Sequence, residues 1–137
     1  MAEFQTQMFL ETMRTVQRIV HETAKAKGFW DEGQKLMIED GCNGPEPVQV
    51  KTRPFNLPEK LMLMVSELAE AMECHRDGTA KLPDNHCPDY SRFAIEMADA
   101  VICIMDLCEH LEIDLAEAIL AKSTFNKSRP ERHEKKY

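Results

Sequence analysis

A chain of 137 residues fits one domain with room for a real core, and 43% hydrophobic with 30% charged residues is an ordinary globular balance. The formal charge of -7 excludes a nucleic-acid polymer or an anionic membrane as the main partner, because either is repelled without a concentrated basic patch. No apolar stretch approaches the roughly twenty residues of a membrane span, and the start MAEFQTQMFLETMRTVQRIV lacks the plan of a signal peptide, so a cytoplasmic location is expected.

Taken in order, Glu3 to Lys27 reads as a first helix, with Phe4, Met8, Val16, Ile19, Val20 and Ala24 on or near one side and Lys25, Lys27 and Gly28 as its end. The segment from Phe29 to Leu57 mixes a short helical possibility around Glu32 to Glu39 with a cluster of Gly, Pro and Asn, and reads as a long connection. Asn56 and Pro58 open a second helix, which Asp77-Gly78 ends. A second connection, Asp77 to Asp89, leads to a third helix capped by Ser91 or Asp89. The fourth starts with Asp114 and Glu117 in capping-box spacing, runs to about Lys127 and stops before Pro130. A charged tail, residues 131–137, follows. The expected class is all-α, a bundle of about four main helices forming one domain over residues 1–137, with no internal repeat. The nine methionines suit helix packing, and the odd count of five cysteines points to reduced thiols. The pairs Cys74-His75 and His86-Cys87 do not match zinc-ligand spacing.

Chemistry enters with two acidic doublets. From Ala94 to Cys108 the charged residues are Glu96, Asp99 and Asp106, and at about 100° per residue they share a sector of roughly 80° with Cys103 between them. From Lys60 to Cys74, Leu61, Val65, Leu68 and Met72 make one apolar line, while Glu67 and Glu70 leave from nearly the opposite side beside Leu63. Carboxylates on such apolar helices need a positive partner. Helices joined by one connection commonly pack antiparallel, which sets Glu67 and Glu70 opposite Glu96 and Asp99. Four carboxylates are the hard oxygen donors that Mg²⁺, or Mn²⁺, prefers. The alternative is that both doublets pair with lysines and arginines of neighbouring helices. On the fourth helix Lys122 and Asn126 are i, i+4 and Arg129 follows three residues on, a set of donors suited to phosphate oxygens; the plain reading is a basic last turn that complements the helix dipole.

The order Glu67-x-x-Glu70, Glu96-x-x-Asp99, Lys122-x3-Asn126-x2-Arg129 resembles the MazG-like all-α nucleoside triphosphate pyrophosphohydrolases, a superfamily that also contains dimeric dUTPases and phosphoribosyl-ATP pyrophosphohydrolase. The matching region is roughly 58–130. The chain departs in having Ser66-Glu67 where many relatives show adjacent glutamates, and in long connections at 39–57 and 77–89. The resemblance implies a helical core completed as a homodimer or homotetramer, Mg²⁺ held by Glu67, Glu70, Glu96 and Asp99, and cleavage of a nucleoside triphosphate between its α and β phosphates. Lys122 and Arg129 would neutralise the phosphate chain and Asn126 orient an oxygen or the sugar. One glutamate accepts the water's proton or binds metal, and Glu73 stands one turn on as an outer ligand. Trp30 is the candidate for stacking on the base, or else plugs a helix end; Phe29, His21, Gln17 and Phe55 are weaker candidates. Glu-x-x-His, which a di-iron bundle uses, is absent. A non-catalytic helical interaction module is the alternative function.

Overall fold

The computed structural model describes residues 2–30 and 55–130, and among these the secondary structure is helical: α1 (Ala2–Ala26), α2 (Leu57–Arg76), α3 (Arg92–His110) and α4 (Leu115–Lys127). An isolated antiparallel bridge, Pro83 to Ser91, is the one extended pairing among the described residues. None of the described helices is long and apolar enough to cross a membrane. The expected short helix at Glu32 to Glu39, most of the 39–57 connection and the 131–137 tail lie outside the described residues.

Local chemistry sets the helix bounds. The Asn56 side chain accepts from the Glu59 N–H at 3.4 Å to open α2, with proline in the first turn. Ser91 Oγ accepts from the Ala94 N–H at 3.3 Å, so Ser91 rather than Asp89 caps α3. Asp114 Oδ1 accepts from the Glu117 N–H at 3.1 Å, while the Glu117 carboxylate accepts from Arg14 Nη2 at 3.3 Å. The cap of α4 is therefore made by Asp114, and the other half of the capping box is given to a residue a hundred positions away.

Helices α1, α2 and α3 all end in the same double hydrogen bond. The N–H of Gly28 reaches Lys25 O and that of Phe29 reaches Ala24 O; Gly78 and Thr79 repeat this with His75 O and Cys74 O; Glu112 and Ile113 do so with Glu109 O and Cys108 O. Each such ending needs one residue in the left-handed region. Gly28 (φ 82°) and Gly78 (φ 71°) take it freely, whereas Glu112 (φ 55°) holds it with a Cβ in place.

The chain divides into two compact units, one of Met1–His21 with Ile104–Tyr137 and one of Glu22–Cys103. In the first, α1 buries Leu10, Gln17 and His21; of the side its apolar pattern marks, Phe4, Met8, Val16 and Ile19 are exposed, and on α1 as a whole Val20 and Ala24 are half-buried. Met105, Leu107 and Ala116 are buried in the same unit. In the second, the buried residues are small: Ala71 and Cys74 on α2, Ala100 on α3. No large side chain among the described residues is fully buried. Cys74, Cys87 and Cys108 carry free thiols, and burial raises that of Cys108 above the ordinary thiol value.

Candidate metal centre

On α2 the covered positions, Ala71 and Cys74 with half-buried Lys60, Met64 and Glu67, fall on the side from which the acids leave. On the first part of α3 the covered positions are Ala100 with half-buried Ile95, Glu96, Asp99 and Cys103. Both acid doublets thus lie on or beside the inward face of their helix. Among the described residues one group of three or more metal-ligating side chains converges: Glu67, Glu70 and Glu96 bring carboxylate oxygens within 4.8 Å of one another. Asp99 is close enough to act electrostatically on two of them.

Proton affinity reports the crowding. Glu67 is raised above its ordinary value by burial first, then by the charges of Glu70, Asp99 and Glu96. Glu96 is raised by burial, then by Glu70, Asp99 and Asp84, against a lowering by Arg92. Carboxylates that hold their protons more tightly because other carboxylates face them form a site short of positive charge. Their oxygens are hard donors, and two ligands on opposite sides of an Mg²⁺ ion stand about 4.2 Å apart at usual bond lengths. Oxygens that all lie within 4.8 Å of one another are of the hard type and the closeness that a small divalent cation takes.

Asp84 has no spacing in the sequence that announces it and belongs to the connection between α2 and α3, whereas Arg92 opens α3 four residues before Glu96. Asp84 Oδ1 accepts from the N–H groups of His86 at 2.8 Å and Cys87 at 2.9 Å, which lowers the Asp84 carboxyl, and the Asp84 N–H donates to Tyr90 O. Arg92 donates its N–H to Leu82 O at 2.9 Å and Nη1 to Thr79 Oγ1 at 3.4 Å. The connection is folded on itself, and that is how a residue twelve positions before Glu96 comes to bear on it.

Trp30 is half-buried and engaged: Phe55 stacks at 5.9 Å between ring centroids and Lys60 Nζ lies 4.0 Å from its ring centre while also donating to Phe29 O. Lys122, Asn126 and Arg129 belong to the other unit and are exposed, with Lys122 Nζ 4.9 Å from the Phe125 ring centre. Asp106, which shares the acid stripe of α3 in sequence, leaves the group: its carboxylate meets His21 Nδ1 at 2.7 Å. Gln17 is likewise committed, donating to Glu109 Oε2 at 2.8 Å and Ile113 O at 3.0 Å. A hollow of about 320 Å³ in that unit is lined by Arg14, Gln17, Glu109, Ile113 and Asp114 among others, and these polar groups already answer one another. Comparisons with protein-family models, with curated proteins and with solved structures return no match. The order and spacing of the motifs are what carries the resemblance.

Proposed function

We propose that the protein is a Mg²⁺-dependent nucleotide pyrophosphohydrolase that cleaves a nucleoside triphosphate between the α and β phosphates. The observation that carries this reading is the convergence of Glu67, Glu70 and Glu96, with Asp99 beside them, where burial and then the neighbouring charges raise Glu67 and Glu96. Glu67, Glu70, Glu96 and Asp99 would hold the ion, which when bound polarises a phosphoryl group and lowers the pKa of a bound water.

The chain's own residues supply the remainder. One of the glutamates would accept the proton of the attacking water in place of holding metal. The role of Lys122, Asn126 and Arg129 in neutralising and orienting the phosphate chain rests on motif order, as does assembly into a homodimer or homotetramer. Trp30 would meet a base only by sharing or displacing Phe55 or Lys60. A dUTPase-like or phosphoribosyl-ATP pyrophosphohydrolase activity is a narrower form of the same chemistry.

Incubation with a panel of ribo- and deoxyribonucleoside triphosphates and Mg²⁺, with separation of the products, tests the reading. A monophosphate with pyrophosphate is the expected result, and a diphosphate with orthophosphate refutes the α,β assignment. The exposed apolar lines of α2 and α3 favour the second reading, a helical interaction module, which gives no pyrophosphate from any nucleotide and no stabilisation by Mg²⁺.

A further inference from the structure

The inward stripe of α3 begins one turn before its acids, at Arg92. This half-buried residue precedes Glu96 by four positions and Asp99 by seven, so it shares their side of the helix. Its guanidinium donates from Nη1 to Thr79 Oγ1 at 3.4 Å, and the Thr79 hydroxyl donates in turn to Cys74 O at 3.3 Å. Cys74 lies on α2 four residues beyond Glu70. The series Arg92, Thr79, Cys74 therefore joins α3 to α2 one turn away from an acid on each helix. Arg92 is held there by a neutral hydroxyl, and no carboxylate among the described residues comes within ion-pair distance of it. Its charge nevertheless reaches Glu96 and lowers that carboxyl. Lys60 and Arg76, cations of the same unit, are committed elsewhere, the first to Trp30 and Phe29 O, the second to Glu73 and Asp77.

We propose that Arg92 is a phosphate-binding residue of the acid-lined site, donating to an oxygen of the substrate's phosphate chain. The inference rests on the pyrophosphohydrolase reading and adds a residue to it. Charge calls for such a group. The carboxylates of Glu67, Glu70, Glu96 and Asp99 outnumber the two charges of a single Mg²⁺, and a polyphosphate brings further negative charge to the same place. Arg92 supplies a permanent positive charge and five N–H donors in a planar fork, of which the described residues take one side-chain donor for Thr79. Thr79 also fixes the position of that fork before a ligand arrives. A guanidinium present only to offset Glu96 would close an ion pair with it, as Arg14 does with Asp114 at 2.6 Å; Arg92 stands off and keeps its remaining donors for a ligand. Lys122, Asn126 and Arg129, whose part rests on motif order, belong to the other unit, whereas Arg92 belongs to the unit that holds the acids.

Calorimetric titration of the full chain, first with Mg²⁺ alone and then with inorganic pyrophosphate at saturating Mg²⁺, separates this role from a structural one. Arg92→Gln should weaken pyrophosphate binding by about tenfold to a hundredfold, the worth of a hydrogen bond to a charged group. Its binding of Mg²⁺ alone should be unchanged or tighter, because a cation beside the site has been removed. With a nucleoside triphosphate as substrate, KM should rise in the same variant. Arg92→Lys keeps the charge and loses the fork, and should fall between wild type and Arg92→Gln. Thr79→Val removes the anchoring hydroxyl but keeps the guanidinium, and should lose less than Arg92→Gln. Unchanged pyrophosphate affinity in Arg92→Gln overturns the inference and leaves the metal site standing. So does a loss in Thr79→Val as large as that in Arg92→Gln, or a fall in Mg²⁺ affinity alongside pyrophosphate affinity, since either makes Arg92 a tie between helix ends. Should Arg92→Gln lose helicity, Arg92→Lys decides: weaker pyrophosphate binding at wild-type Mg²⁺ affinity supports the inference, and wild-type pyrophosphate affinity overturns it. Wild-type protein that binds Mg²⁺ but no pyrophosphate sinks the inference alone, whereas protein that binds no Mg²⁺ sinks the pyrophosphohydrolase reading with it.

Discussion

In the unit of Met1–His21 and Ile104–Tyr137, the acids Asp106, Glu109 and Asp114 are answered. Asp106 meets His21, Glu109 accepts from Gln17, and Asp114 meets Arg14 at 2.6 Å while also capping α4. The Asp114 carboxyl is lowered accordingly, by Arg14 first and then by the Glu117 N–H. In the unit of Glu22–Cys103, Glu67, Glu70, Glu96 and Asp99 crowd one another, and the affinities that are displaced go up rather than down. The same residue types on helices of one chain thus have opposite electrostatic standing. Acids that meet a positive or donating partner stabilise their own fold, whereas acids that crowd one another do not, and the proposed metal site rests on that difference.

The strongest way to break this contrast is to neutralise one member of the crowded group. Glu70→Gln removes the largest like charge acting on both Glu67 and Glu96. Loss of kcat/KM on the order of 10² to 10³ is expected for it and for Asp99→Asn, with helicity retained. Unchanged activity in both variants rules out the metal assignment. In wild type, Mg²⁺ at about 100 times its Kd should add about 2.7 kcal/mol to stability, and this gain should vanish in the variants. The pH dependence has a definite sign. A carboxyl raised in the folded state contributes stability below its ordinary value near 4.5 and loses it as pH climbs through the raised value. The melting temperature of metal-free protein should therefore fall between weakly acidic and neutral pH, and less steeply in Glu70→Gln. Asp114, lowered, works the other way and loses its contribution only as pH falls below the usual carboxylate range.

On the answered side, Gln17→Ala should cost about 1–3 kcal/mol, because it withdraws the amide that satisfies Glu109 and the Ile113 carbonyl. Denaturant unfolding measures it, and a change within error would mean that water replaces the amide. The smallest effect belongs to Glu112→Gly, which should stabilise by about 0.5–1 kcal/mol by relieving the left-handed glutamate at the end of α3. A decrease would show that the side chain has a compensating partner.

The four helices and most of their ends were legible because capping and glycine chemistry is local: Asn56, Ser91, Asp114, Gly28 and Gly78 act within five residues of themselves. The end of α3 was less so, since Glu112 does the work of a glycine without being one. Spacing also placed the acid doublets, because i, i+3 positions share a helix side whatever surrounds them. It could not reveal that Asp106 pairs with His21 across 85 residues, or that Asp84 bears on Glu96 through a folded connection. Nor could it say which side of an amphipathic helix faces inward, since on α1 Leu10, Gln17 and His21 are buried while Phe4, Met8, Val16 and Ile19 are exposed, and on α2 the line of Leu61, Val65, Leu68 and Met72 is exposed.

The uncovered lines are rich in thioethers: Met8, Met62, Met72 and Met97 are 54, 61, 60 and 41% exposed. Oxidation to the sulfoxide turns such a side chain from apolar to polar and destroys its value for packing. For Met72, oxidation would set a polar group at the end of the exposed line of α2, so the apolar character of that side depends on the redox state of one sulfur.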